Sequence, residues 1–221
     1  MTRDERIDTA ELLYERGVFG GESGALNSAD TALDGVEADL CMTRGRVIHA
    51  RFLESRSKGE PAENPRELEL FTRAAELYRR TGDARGEGEA VFWVGTFHQV
   101  VRDDTETAIP SFRRALDLAT RSGDRLTMSY ALRHLGFAEH MAGDLDQARG
   151  LFEESTRLRR EVGFLPGVAA NLIGLAYVAA QQERPDEAAR FLKEAEELSA
   201  RTESHGVLRW AAEAREHLAL P

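Results

Sequence analysis

The side chains from which metal sites and acid–base pairs are made are all present in this 221-residue chain: six histidines, one cysteine and 39 aspartates and glutamates. Spacing decides whether they do chemistry. Zinc ligands carried on one helix stand three or four residues apart, so that both reach one ion. His134 and His140 are six apart, and His98 lies in another unit, so the three read as polar or core residues and no metal site is expected. Cys41 is the lone cysteine, with no evident paired base, and reads as a small apolar residue in the interior. Gly86-Glu87-Gly88 follows no strand and is a turn or helix start, not a dinucleotide fingerprint. The carboxylates run in blocks such as EEST (153–156) and KEAEE (193–197), which are solvated helix faces. With no nucleophile–base pair, the chain reads as a non-enzyme with no catalytic residue and no cofactor.

Composition narrows the partners. The net charge is −10, and nucleic acid is bound by neutralising phosphates with Lys and Arg, so a nucleic-acid partner is not expected. The first residues, MTRDERIDTAELLYERG, hold no apolar signal core, and no apolar run reaches bilayer length, so no membrane role is expected either. One cysteine excludes an internal disulfide framework and fits a reducing, cytoplasmic setting. Only Lys58 and Lys193 are lysine among 29 basic residues, a bias that suggests a GC-rich bacterial genome.

The elements that position any surface are set by a repeat. Segments starting at Glu89, Ser129 and Ala169 align without gaps at a step of 40. Ala108, Ala148 and Ala188 correspond, as do Phe112, Phe152 and Leu192; Ala115, Ser155 and Ala195; and Leu118, Leu158 and Leu198. Within a unit these positions step by four, three and three, which is one face of a helix. Gly82-Asp83, Gly123-Asp124 and Gly143-Asp144 pair a glycine that ends one helix with an aspartate that caps the next. Pro110 falls inside an expected helix, so that helix either starts near Ala108 or is kinked.

The run LRHLGFAEHMAGDLDQARGLFEES (132–155) resembles the tetratricopeptide repeat, in which a Leu-Gly pair, a Gly-Asp turn, an Ala and a Phe recur in order. The resemblance covers about residues 89–200. The step of 40 exceeds the family's 34, as in the repeats of large bacterial regulators, and Gly95-Thr96 and Ala176 replace the Leu-Gly pair in part. The expected fold is an all-α, right-handed α-solenoid of about five helix-turn-helix repeats plus a C-terminal capping helix, about eleven helices in a single domain over 1–221. Residues 1–35 are a degenerate pair, 36–83 a pair with a long internal loop at 58–65, 89–128, 129–168 and 169–204 the clear units, and 205–220 the cap.

In such stacks the first helix of each pair lines a concave groove. Offsets from the packing residues Leu132, Leu135 and Gly136 send Tyr130, Arg133, Phe137, His140 and Met141 toward it, and the 40-residue step adds Trp93, Phe97 and Tyr177. Two readings of these aromatics stay open: core packing, or an exposed apolar surface that marks a binding site. Arg133 suits a carboxylate or phosphate.

The resemblance implies a non-catalytic protein- or peptide-binding module, an adaptor in a regulatory context. Its alternative is a small-molecule sensor in which the same aromatics close around an apolar ligand. The chaperone-tail clamp of some relatives is not expected, because neither lysine stands at the clamp positions. A homodimer through the terminal helices, using Trp210 and Leu218, is compatible with any of these.

Overall fold

Aspartates punctuate the chain. In the computed structural model, which describes residues 3–220, Asp83 accepts a hydrogen bond from Gly86 N, Asp104 from Thr107 N, Asp124 from Leu126 N and Thr127 N, and Asp144 from Gln147 N. Each satisfies backbone donors that a helix start leaves without partners. Gly82, Gly123, Gly143 and Gly163 close the preceding helices with positive φ. The described residues form ten α-helices and one π-helical turn, with no strand. The architecture is all-α, built from consecutive helix-turn-helix pairs as in an α-solenoid. The chain divides into two compact units, 1–122 and 123–221.

The first unit holds α1 (Glu5–Val18), α2 (Ala25–Ser57), α3 (Arg66–Thr81), α4 (Ala84–Thr96), the π turn Phe97–Val101 and α5 (Thr105–Ser122). α2 packs on both α1 and α3, and α4 packs on both α3 and α5. The core of α2 to α4 gathers Ala38, Cys41, Met42, Phe71, Leu77 and Ala90. Here the expectation of about eleven helices is corrected. The helix carrying Ala25, Ala29 and Ala32 and the helix expected from Val36 to Ser57 are one, α2, 33 residues long. Gly35 costs a helix about 1 kcal/mol relative to Ala, but both neighbours hold α2 around it: Arg6 of α1 pairs with Asp39, and Arg80 and Arg73 of α3 pair with Asp34 and Glu37. Pro110 lies within α5, in its second turn, and the helix begins ahead of it at Thr105.

The second unit holds α6 (Arg125–Ala142), α7 (Leu145–Glu161), α8 (Leu165–Gln181), α9 (Pro185–Arg201) and α10 (His205–His217). α6, α8 and α10 start 40 residues apart, as do α7 and α9. The core joins Phe152, Leu172, Leu175, Val178 and Leu192, and α10 closes it with Ala211 and Ala214.

A glycine on the first helix of a pair meets a phenylalanine on the second. A Cβ on Gly45 would stand 2.5 Å from the Phe71 ring, one on Gly95 2.7 Å from Phe112, and one on Gly136 3.3 Å from Phe152. These contacts set the true register: Gly95 to Gly136 is 41 residues, whereas Phe112 to Phe152 is 40. The π turn absorbs the extra residue, with Arg102 N donating to Phe97 O in a five-residue loop. A π turn is how a helix accommodates one inserted residue.

Candidate functional site

One turn of an α-helix separates Tyr130 from Arg133, Arg133 from Phe137, and Phe137 from His140, so α6 presents them in a row. Phe137 is 41% exposed and Met141 75%, the two large apolar side chains that α6 gives to solvent. Phe137 stands edge-on to Phe152 at 6.0 Å and to His140 at 6.5 Å, so its base is packed and its outer edge is open. Burial lowers the pKa of the half-buried His140, while a hydrogen bond with Gln181 raises it. Tyr177 on α8 packs edge-on against His217 of α10 at 5.8 Å, and burial raises its pKa.

Beneath this row lies a polar network. Arg133 Nη1 donates to Ala170 O at 2.7 Å and to Asn171 Oδ1 at 3.0 Å. Arg159, on α7 and 2% exposed, donates from Nη1 to Gly167 O at 2.7 Å and to the same Asn171 Oδ1 at 2.9 Å. Its Nε reaches Ser129 Oγ at 3.3 Å. Asn171 Nδ2 donates to Ser155 Oγ, which donates in turn to Ser129 O at 2.6 Å. The Arg159 guanidinium also lies over the rings of Tyr130 and Phe164, at 5.2 and 5.7 Å.

Every acceptor in this network is neutral. Among the described residues neither arginine pairs with a carboxylate, whereas most other arginines here do. Burial pushes Arg159 down to about 9, with the Arg133 charge adding to the effect, and pushes Arg133 down to about 10. Two positive charges are therefore held together without a counter-charge. Arg133 Nε and Nη2 and Arg159 Nη2 have no hydrogen-bond partner among the described residues. This is chemistry suited to receiving an anion.

The first-unit members of the expected groove are placed differently. Trp93 is half-buried, stacked on Phe71 at 5.4 Å, edge-on to His49 at 5.3 Å, with the Arg46 guanidinium 5.6 Å away. Phe97 is wholly buried, with Arg102 4.8 Å from its ring centre. The π turn explains the difference: counted from the caps and Gly95, Phe97 corresponds to the buried Ala138 and not to Phe137. The same unit has a cleft of about 480 Å³ between α3, α4 and α5, lined by Thr72, Glu76, Arg79, Val94 and Pro110. Among the described residues no cluster of His, Cys, Asp or Glu has metal-binding geometry, and no helix is long and apolar enough to cross a membrane.

Arg159 and Asn171 were not singled out by sequence, yet the repeat marks them. Positions equivalent to Arg159 carry Ala119 and Ser199, both buried, and the position equivalent to Asn171 in α6 is Ala131. An arginine and an asparagine stand where the repeat otherwise buries a small residue.

The tetratricopeptide repeat profile matches residues 91–161 and 127–201, together 111 of 221 residues. The chain belongs to the tetratricopeptide repeat family. In this family repeats are generally protein–protein interaction modules. No curated protein matches the chain.

Proposed function

We propose that this tetratricopeptide repeat protein is a non-catalytic module that holds a segment of a partner protein against the α6–α8 face of its second unit. An acidic group of that segment pairs with Arg133, and apolar residues cover Phe137 and Met141. The observation that carries this reading is the juxtaposition of an uncompensated guanidinium pair with the part-exposed Phe137, whose ring centre lies 5.6 Å from the Arg133 guanidinium. An unpaired buried charge is costly, so the site gains by taking a carboxylate. The exposed ring and thioether supply apolar area next to it. Tyr130 and Tyr177 border the contact through their packed rings, and His140 extends it.

Selection of phage-displayed peptides on the full chain tests this. Enriched peptides should carry Asp or Glu beside an apolar residue. Their affinity should fall about tenfold or more with Phe137→Ala, the loss expected for one well-placed anchor, and again with Arg133→Gln, with far-UV circular dichroism unchanged. No enrichment of acidic peptides, or binding indifferent to both substitutions, would overturn the reading.

A further inference from the structure

α2 exposes an apolar stripe that nothing in its unit covers. Leu26, Leu33, Leu40 and Val47 are 50%, 44%, 51% and 48% exposed. They recur at a strict seven-residue step, which drifts only about 20° per repeat on a straight helix and is the spacing of a two-helix seam. The glycine–phenylalanine register shows what this stripe corresponds to in the other units. Counting from Gly45, Gly95 and Ala176, Leu40 and Val47 correspond to Ala90 of α4 and Phe97 of the π turn, and to Asn171 and Val178 of α8. All four of those are fully buried. α2 therefore carries large apolar residues at positions that are covered elsewhere.

The charges beside the stripe are segregated. Four residues after each apolar position stand Asp30, Glu37, Arg44 and Arg51, acidic in the first half and basic in the second, and all four are exposed. Glu37 also pairs with Arg73 at 2.8 Å, while Asp30, Arg44 and Arg51 have no ion-pair partner among the described residues. A parallel copy would set like against like. An antiparallel copy centred near Leu40 sets Asp30 alongside Arg51 and Glu37 alongside Arg44, with Leu33 facing Val47. Such a contact is isologous and closes on itself.

We propose that α2 pairs antiparallel with α2 of a second copy of this chain through Leu33, Leu40 and Val47 of this stripe, so that the protein is a homodimer joined at its first unit. The proposal is independent of the site on α6 and α8.

Sedimentation equilibrium of the full chain, from micromolar to near-millimolar concentration, reads it directly. The wild type should reach twice the monomer mass. Leu40→Lys should leave it monomeric, and Asp30→Arg should raise the dimer Kd about tenfold by setting like charges together. The double swap Asp30→Arg/Arg51→Asp should restore the dimer, an outcome that only charge pairing between copies explains. All substituted residues are exposed, and unchanged far-UV circular dichroism confirms that each variant is folded. A wild type that stays monomeric throughout, as it would if a different protein covered the stripe, overturns the proposal. So does a dimer that Leu40→Lys leaves intact, or one weakened by Asp30→Arg and not restored by the swap.

Discussion

Arg133 and Arg159 donate to one and the same oxygen, Asn171 Oδ1, at 3.0 and 2.9 Å. They come from different helices, α6 and α7, and the acceptor comes from a third, α8. A single neutral amide thus sits between two like charges, and its substitution should be felt by both.

Asn171→Leu should cost about 3–5 kcal/mol in urea denaturation, the range seen when a buried charge loses its partner. Adding Arg159→Met removes one of the stranded charges. The double variant should therefore be more stable than Asn171→Leu alone, a large positive coupling between neighbours. Strict additivity would mean that the shared oxygen does not hold the charges.

Phe97 and Phe137 should respond unequally to truncation. Phe97→Ala empties a fully buried site and should cost about 3–5 kcal/mol. Phe137→Ala removes a ring that is 41% exposed and should cost under about half of that, while removing the binding described above. Equal losses in thermal unfolding would contradict the register assigned to the π turn.

His140 makes stability pH-dependent in a defined direction. Its folded pKa lies below the ordinary 6.5, chiefly through burial, so below 6.5 the unfolded chain binds more protons than the folded one. The contribution is present above pH 6.5 and is lost as pH falls through the folded pKa. The difference in Tm between wild type and His140→Gln should shift against the wild type on acidification over that window. A pH-independent difference would sink the assignment.

Much of the fold was legible because packing repeats. The series Phe112, Phe152 and Leu192 is buried in the structure as its spacing requires, and the Asp caps stand where the Gly-Asp pairs put them. The continuity of α2 was hidden because local propensity at Asp34-Gly35 favours a break, while the neighbours that override it are distant in sequence. A gapless step of 40, which the second helices obey, puts Phe97 one residue out of register when carried through the first helix. The caps Asp83 and Asp124 are 41 apart and carried the sign of an inserted residue. Arg133 was visible as a candidate, but Arg159 and Asn171 were not, because a polar residue on a buried face looks like noise until its partners are seen. What could have found them is the contrast with Ala119, Ser199 and Ala131 at the equivalent positions.

The network around Asn171 also bears on how the second unit comes apart. In stacked repeats each pair is held mainly by its nearest neighbours, and the ends fray first. Here hydrogen bonds from α6 and α7 converge on α8, binding two successive pairs through one amide. Native-state hydrogen exchange should accordingly find α6, α7 and α8 opening together, with one shared free energy. α10, the terminal helix, which packs on α8 and α9, should exchange earlier by local fraying. Asn171→Leu should split that shared opening into separate steps, turning one cooperative block back into a row of independent repeats.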